Sequence, residues 1–319
     1  MPSLYVDRRG VEIEVDGGAL IFKENGNRIG TVPIAPLDRI FIRGNVGLKA
    51  NVLSKLGECG IGVVILSSTR SAPTLLMPRP HSDASRRIAQ YCAFRSSEAQ
   101  LMFSKEIVLR KVSGQKRFLE ELRDSEARHK DVLAARIREI EQVLAQIGAA
   151  ADKSSLLGLE GRAGASYFAA FRTILPASLK FTGRNRRPPR DPFNVVLSLG
   201  YTLLHCEGVR ALYAVGLDPY VGFFHSLDYG REALACDFVE PFRTEVDRFA
   251  FNAFRERTLR PEDFSISTGG CQLGKAGRER FYPAWEASAE KLRKMLENAA
   301  SKWCGTVLAF AGAERKRFA

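Results

Sequence analysis

A glutamate at 160, a histidine at 225 and an acidic pair, Asp237 and Glu240, are the side chains of this chain best suited to act together on a bound phosphate. Carboxylate oxygens and an imidazole nitrogen suit Mg²⁺ or Mn²⁺, and a centre of that kind polarises a phosphodiester toward attack. Each residue also has an ordinary structural reading. Glu160 lies in GLEGRAGASYF, where Gly158, Gly161, Ala163, Gly164 and Ala165 keep the surroundings small. That pattern admits either a ligand or a closely packed helix, and an isolated glutamate most often faces solvent. His225 ends the apolar run 221–224 after a turn at Asp218 and Pro219, which fits a hydrogen-bonded or capping imidazole as readily as a ligand. Asp237 and Glu240 are spaced i, i+3 on an expected helix, so both face one way and can converge on one cation. A solvated face shared with Arg231, Glu232 and Arg243 accounts for them equally well.

A second feature is the run KFTGRNRRPPR at 180–190, with Lys180, Arg184, Arg186, Arg187 and Arg190 and no acid before Asp191. Such a segment can neutralise several phosphates without reading bases. Pro188 and Pro189 stiffen it, which suits a template for a DNA backbone; a solvated surface loop is the alternative that charge alone leaves standing. The whole chain holds 48 Lys+Arg against 36 Asp+Glu, a net charge of +12. Residues 1–75 carry 9 basic against 7 acidic side chains, leaving 39 against 29 for the remainder, so a polyanion belongs mainly with the C-terminal part. An anionic membrane or plain solubility would also produce a basic balance.

The elements that must position these residues fall into two classes. The runs LYVD, VEIEV, ALIFK, RIGTVPI, DRIFIRG and GVVILSS alternate or bunch apolar residues as strands do, with a turn at ENGN and one short helix near 49–58. Residues 68–84 gather proline and small polar residues, which favour an extended connection. Beyond it, apolar residues recur at three- and four-residue spacing, as at Ile88, Tyr91 and Cys92 and again at Ile137, Ile140 and Val143. The expected fold class is therefore α+β: a small β domain over 1–75, a linker over 76–84, and a larger, nearly all-α catalytic and DNA-binding domain over 85–319. FSIS at 264–267 is expected to start a short hairpin, and the last long helix to begin near Ala284. No stretch reaches the roughly 20 apolar residues of a membrane span, and strand-like sequence follows Met1, so a cytoplasmic protein is expected. The six cysteines form no C-x-x-C pair, and reduced, mostly buried thiols are expected. No phosphate-cradling loop or dinucleotide fingerprint is present, so nucleotide-derived energy is not expected.

Four runs, PTLLMPRPHSDA, LLGLEGRAGASYFAAF, RNRRPPRDPFNVVLSLGYTLL and GLDPYVGFFHSLDYGREALACDFVEPFR, resemble in order and spacing those of the CRISPR-associated spacer integrases, the family called Cas one. The resemblance covers most of the chain and fades over roughly the last sixty residues. It implies that Glu160, His225 and Glu240 correspond to the family's three metal ligands, for Mg²⁺ or Mn²⁺, and that Asp237 is the nearby acid that assists. The family uses Asp or Glu at the last position, so Glu240 is an acceptable form. It further implies a homodimer formed through the β domain, assembly with the small partner Cas two, and double-stranded and CRISPR repeat DNA as substrates. The expected activity is metal-dependent transesterification that joins the 3′-hydroxyl ends of foreign DNA to the repeat, with water as nucleophile giving an endonuclease. The alternatives are a branched-DNA nuclease and a non-catalytic basic DNA-binding scaffold.

Overall fold

Period-two sequence at the start of the chain becomes two small sheets. In this computed structural model, which describes residues 3–66, 73–79, 81–125, 127–185 and 188–317, the strands are β1 (Ser3–Asp7), β2 (Val11–Asp16), β3 (Ala19–Glu24), β4 (Asn27–Pro33), β5 (Arg39–Arg43) and β6 (Val46–Leu48). They are followed by helix α1 (Ala50–Glu58), β7 (Gly62–Leu66) and β8 (Thr74–Leu76). One sheet runs β1-β5-β7-β8, parallel except for β8; the other runs β4-β3-β2-β6. Asn25 and Gly26 both have positive φ, at 51° and 79°, as the tight turn joining β3 to β4 requires. Val11 and Ile13 point inward while Glu12 between them is exposed, and they meet Leu20, Ile40, Ile42, Val52, Leu56 and Val63 in one apolar core.

The sequence reading misses β6 and β8. A three-residue strand shows almost no alternation, and β8 exists because the edge of β7 offers unpaired backbone groups to Thr74–Leu76. Part of the stretch expected to be a plain extended connection is therefore strand; residues 67–72 and Pro80 lie outside the described residues.

The chain divides into two compact units, one ending at Ser82 and the other beginning at Asp83. The second contains α2 (Ser85–Arg95), α3 (Ser97–Ser125), α4 (Lys130–Ile147), α5 (Lys153–Ile174), α6 (Pro192–Ala214), α7 (Ala233–Val239) and α8 (Arg243–Arg255). The hairpin β9 (Phe264–Ser267) and β10 (Gly270–Leu273) and the long α9 (Lys275–Arg317) complete it. The FSIS hairpin forms as expected, but α9 starts at Lys275, well before Ala284, and runs through Pro283. Gly274, Gly277 and Pro283 read as breakers; burial of Phe281, Tyr282 and Trp285 in the core overrides that local preference.

Helix α6 is the axis of this unit. Asp191 caps it by accepting from the Asn194 backbone N–H at 2.9 Å, and Pro192 opens its first turn. It is apolar on every side, as a helix surrounded by others must be, and packs against α7, α8 and α9. A Cβ at Gly200 would lie 2.5 Å from Val246 Cγ1, and one at Gly208 2.4 Å from Val239 Cγ1. Those two positions let α7 and α8 approach α6 closely. Helices α3, α4 and α5 form an adjoining group, and the candidate site lies where α3, α5 and α6 meet the start of α8.

Candidate active site

Glu160 projects from α5, and Glu240 opens a single 3₁₀ turn (Glu240–Phe242) between α7 and α8. Both carboxylates meet the ammonium of Lys111 on α3. Its Nζ stands 2.5 Å from Glu240 Oε2 and also binds Glu160 Oε1. Arg243, one turn further on, places Nε 3.1 Å from Glu240 Oε1. Glu240 is only 5% exposed. Burial by itself would raise its pKa, but the charges of Arg243 and Lys111 outweigh that and hold it down at about 2. Near neutrality the site therefore holds an ionised buried carboxylate.

These groups line a cavity of about 500 Å³. Arg172 and Arg184 join Lys111 and Arg243 in its wall, and Gly161 and Gly164 form part of the same lining. A Cβ added at either glycine would meet nothing within 4 Å, whereas Ala163 is fully buried. Of the two readings of the GLEGRAG segment, helix packing applies to Ala163 and open space to Gly161 and Gly164.

His225 and Asp237 form a separate pair within electrostatic reach of Glu240. Asp237 is fully buried, and its oxygens are already engaged. It accepts from the backbone N–H groups of Phe223, Phe224 and His225 at 2.6, 2.8 and 2.9 Å, and its Oδ1 lies 2.6 Å from His225 Nδ1. Gly222 makes this possible, because a Cβ there would stand 2.6 Å from the Ala233 carbonyl carbon and 2.7 Å from Asp237 Oδ2. The sequence spacing puts Asp237 and Glu240 on one face, yet they turn apart. Helix α7 ends at Val239 and the chain tightens into the 3₁₀ turn, so Asp237 addresses the 222–225 loop and Glu240 addresses Lys111. With Nδ1 held by Asp237, Nε2 is the imidazole nitrogen left for a ligand or a proton. The structure thus brings Glu160 and Glu240 together on Lys111, while His225 stands within electrostatic reach of Glu240 and is not among the residues that line the cavity. Among the described residues, no three His, Cys, Asp or Glu side chains gather around one point.

Hydrogen bonds hold the described residues of the basic run. Asn194 Oδ1 accepts from Arg184 at 2.8 Å and from the Asn185 N–H at 3.1 Å, Asn185 Oδ1 accepts from the Arg190 N–H at 2.9 Å, and the Pro189 carbonyl accepts from Cys271 at 2.7 Å. Arg184 turns into the cavity wall, while Lys180 and Arg190 are exposed; Arg186 and Arg187 lie outside the described residues. His205 of α6 meets Glu232 Oε2 at 2.6 Å. Of the free cysteines, Cys206, Cys271 and Cys304 are buried, whereas Cys59 and Cys92 are exposed, fewer buried thiols than expected.

Among the wall residues that sequence reasoning misses are Lys111, Arg172, Tyr201, Asp247 and, assigned only to a solvated face, Arg243. Arg243 and Asp247 lie about one and two helical turns beyond Glu240, a spacing that places them on its face and could have flagged them. Lys111 carries no such signal, because it reaches the site from a distant helix.

A family model described as CRISPR associated protein Cas1 matches residues 4–287. A CRISPR-associated endonuclease Cas1 of Thermodesulfovibrio yellowstonii is 39% identical over 98% of this chain and 96% of its own length. One from Thermus thermophilus is 35% identical over 89% and 83%. Among solved structures, a CAS1 protein from Thermotoga maritima superposes with a TM-score of 0.83 at 21% identity over 97% of both chains. A casposase bound to integration product does so with a TM-score of 0.77 at 25% identity, over 95% of this chain and 91% of that one. With the fold, the order of motifs and near full-length similarity in agreement, this chain belongs to the CRISPR-associated Cas1 endonuclease family.

Proposed function

We propose that this chain cuts and joins DNA by phosphodiester transfer in CRISPR adaptation, linking the 3′-hydroxyl ends of foreign fragments to the CRISPR repeat. The observation that carries the proposal is the convergence of Glu160 and Glu240 on one positive charge, in a cavity whose wall also holds Arg172, Arg184 and Arg243. Glu240 Oε2 is buried without a well-directed hydrogen bond and is answered by the Lys111 charge. Two carboxylates around one cation are a donor set that a hard divalent ion fits. Glu160, Glu240 and Nε2 of His225 would hold Mg²⁺ or Mn²⁺, which supplies charge to the scissile phosphate and the leaving oxygen when bound.

The remaining roles belong to the chain. Asp237 fixes the His225 tautomer and aims the ring. Arg184 and Arg243 offer planar donors to phosphate oxygens, and the open glycine wall admits a DNA backbone. A 3′-hydroxyl as nucleophile exchanges one phosphodiester for another and needs no nucleotide energy; water at the same place gives cleavage. The casposase similar to this chain was solved with integration product, which favours joining. A related chain was solved in a Cas6-RT-Cas1–Cas2 complex, and we extend to this protein a homodimer that works with a small Cas2 partner.

Purified protein, with its small partner, should join an oligonucleotide to repeat-bearing plasmid in Mg²⁺ or Mn²⁺ without ATP. A dideoxy 3′ end should abolish the joined product. Equal joining with blocked ends would rule out the 3′-hydroxyl as nucleophile, and hydrolysis alone under every metal would replace joining with nuclease activity.

A further inference from the structure

Asp247 is a buried acid that the reaction above does not use. Only 2% of it is exposed, and it lines the cavity from the second turn of α8. Its two oxygens are taken by phenols. One accepts from the Tyr167 hydroxyl of α5 at 2.9 Å, and the other from the Tyr201 hydroxyl of α6. Burial pushes its carboxyl up to about 6, against the pull of the Tyr201 and Tyr167 hydrogen bonds and of the Arg243 and Arg184 charges. An acid in such a place is costly, so its acceptor geometry calls for a reason. An asparagine could serve one phenol with its carbonyl, but its NH₂ would confront the other; only a carboxylate accepts from both.

The Tyr201 ring that this bond fixes has two guanidiniums over it. The Cζ of Arg243 is 4.7 Å from the ring centroid and that of Arg184 is 5.4 Å, both within cation–π range. Arg184 is steadied further by Asn194 and by Ser198 Oγ at 3.2 Å. The ring thus acts as a shelf beneath two cations of the cavity wall. Its other connections are just as specific. Tyr167 lies two turns beyond Glu160 on α5, and Asp247 lies on α8, seven residues after Glu240, so one carboxylate ties the helix that carries Glu160 to the helix that follows Glu240.

We propose that Asp247 is a positioning residue for DNA phosphate: through the hydroxyl of Tyr201 it sets the ring on which Arg184 and Arg243 lie, and so aims both guanidiniums into the cavity. This rests on the reading of the cavity as a DNA site and adds to it the device that holds its grips. Asp247→Asn and Tyr201→Phe then break one and the same link, and Arg184→Gln breaks it at the far end.

The test uses the full-length protein, a duplex oligonucleotide and a series of salt concentrations. Each single variant should weaken binding roughly 3- to 10-fold and reduce the slope of log affinity against log salt by about one, the change expected when a single phosphate is no longer neutralised. The Asp247→Asn/Tyr201→Phe double variant should be no weaker than Asp247→Asn alone, since residues that act through one another are not additive. Thermal melting of each variant separates misfolding from misaiming. If Asp247→Asn lowers the melting temperature but leaves affinity and salt slope unchanged, or if the effects of the two substitutions simply add, Asp247 is a brace and the proposal falls. Strand joining and cleavage are measured separately. A wild-type chain that binds DNA through this link yet neither joins nor cuts would overturn the enzymatic reading and leave the shelf intact.

Discussion

His225 and Asp237 show how two adjacent site residues can differ completely in what they hold. Asp237 serves three backbone N–H groups besides the imidazole, so Asp237→Ala should leave three buried donors unanswered and cost about 3 kcal/mol or more. His225→Ala removes none of those donors. It should unfold within about 1 kcal/mol of wild type in urea while losing strand joining by at least 100-fold, a contrast that paired denaturation and activity measurements would check. Asp247 makes a second residue-scale prediction, on pH. Its folded carboxyl titrates at about 6 against an unfolded value of 3.8, so the folded state binds this proton more tightly. Its contribution to stability is full below the unfolded value and is lost as pH rises through the folded one, by about 3 kcal/mol in all. Between pH 4 and pH 7, the urea stability of wild type should therefore fall relative to Asp247→Asn; parallel curves would contradict a raised pKa. Tyr167, Tyr201, Arg243 and Arg184 are the charged and titratable groups facing it.

At the scale of elements, α9 matters beyond the end of the family model. The family model ends at residue 287, but Trp303 of α9 packs its ring 5.4 Å from Phe103, 6.0 Å from Phe238 and 6.2 Å from Phe223. Phe223 donates its N–H to Asp237 and Phe238 follows Asp237 in α7. The last helix therefore braces the loop that presents His225. Trp303→Ala should cost about 3–5 kcal/mol by leaving a cavity among three aromatic rings. Activity should fall further than the folded fraction does, because the loop loses its backing; proportional losses in a joining assay corrected for folded protein would limit α9 to general stability.

For the whole molecule, charge decides more than shape. The net charge of +12 is concentrated beyond residue 75, and Arg172, Arg184 and Arg243 direct part of it inward to the cavity while Lys180 and Arg190 face solvent. No helix among the described residues is long and apolar enough to cross a membrane. Replacing Arg184, Arg186, Arg187 and Arg190 together with Gln should weaken binding to unrelated DNA sequences alike. It should also flatten the salt dependence by up to about 3–4 units of slope, since counterions are released for each phosphate neutralised. An unchanged slope would return this run to the surface-loop reading.

Read as a string, this chain already determined its class, its family and several residues of its candidate site. Alternation marked the strands, three- and four-residue spacing marked the helices, and four ordered runs carried the family, because each of these signals is local and repeated. Short β8 and the true start of α9 were illegible, since the edge of β7 and the burial of Phe281 and Trp285 outweigh what their own residues prefer. The same holds at the site. Glu160 and Glu240 could be named from their motifs, but only tertiary packing brings Lys111 between them and turns Asp237 away toward the 222–225 loop. Only packing, too, joins Tyr167, Tyr201 and Asp247 from three helices. Spacing along one helix fixes which residues share a face; which faces meet is fixed by how the helices bury their apolar sides against one another.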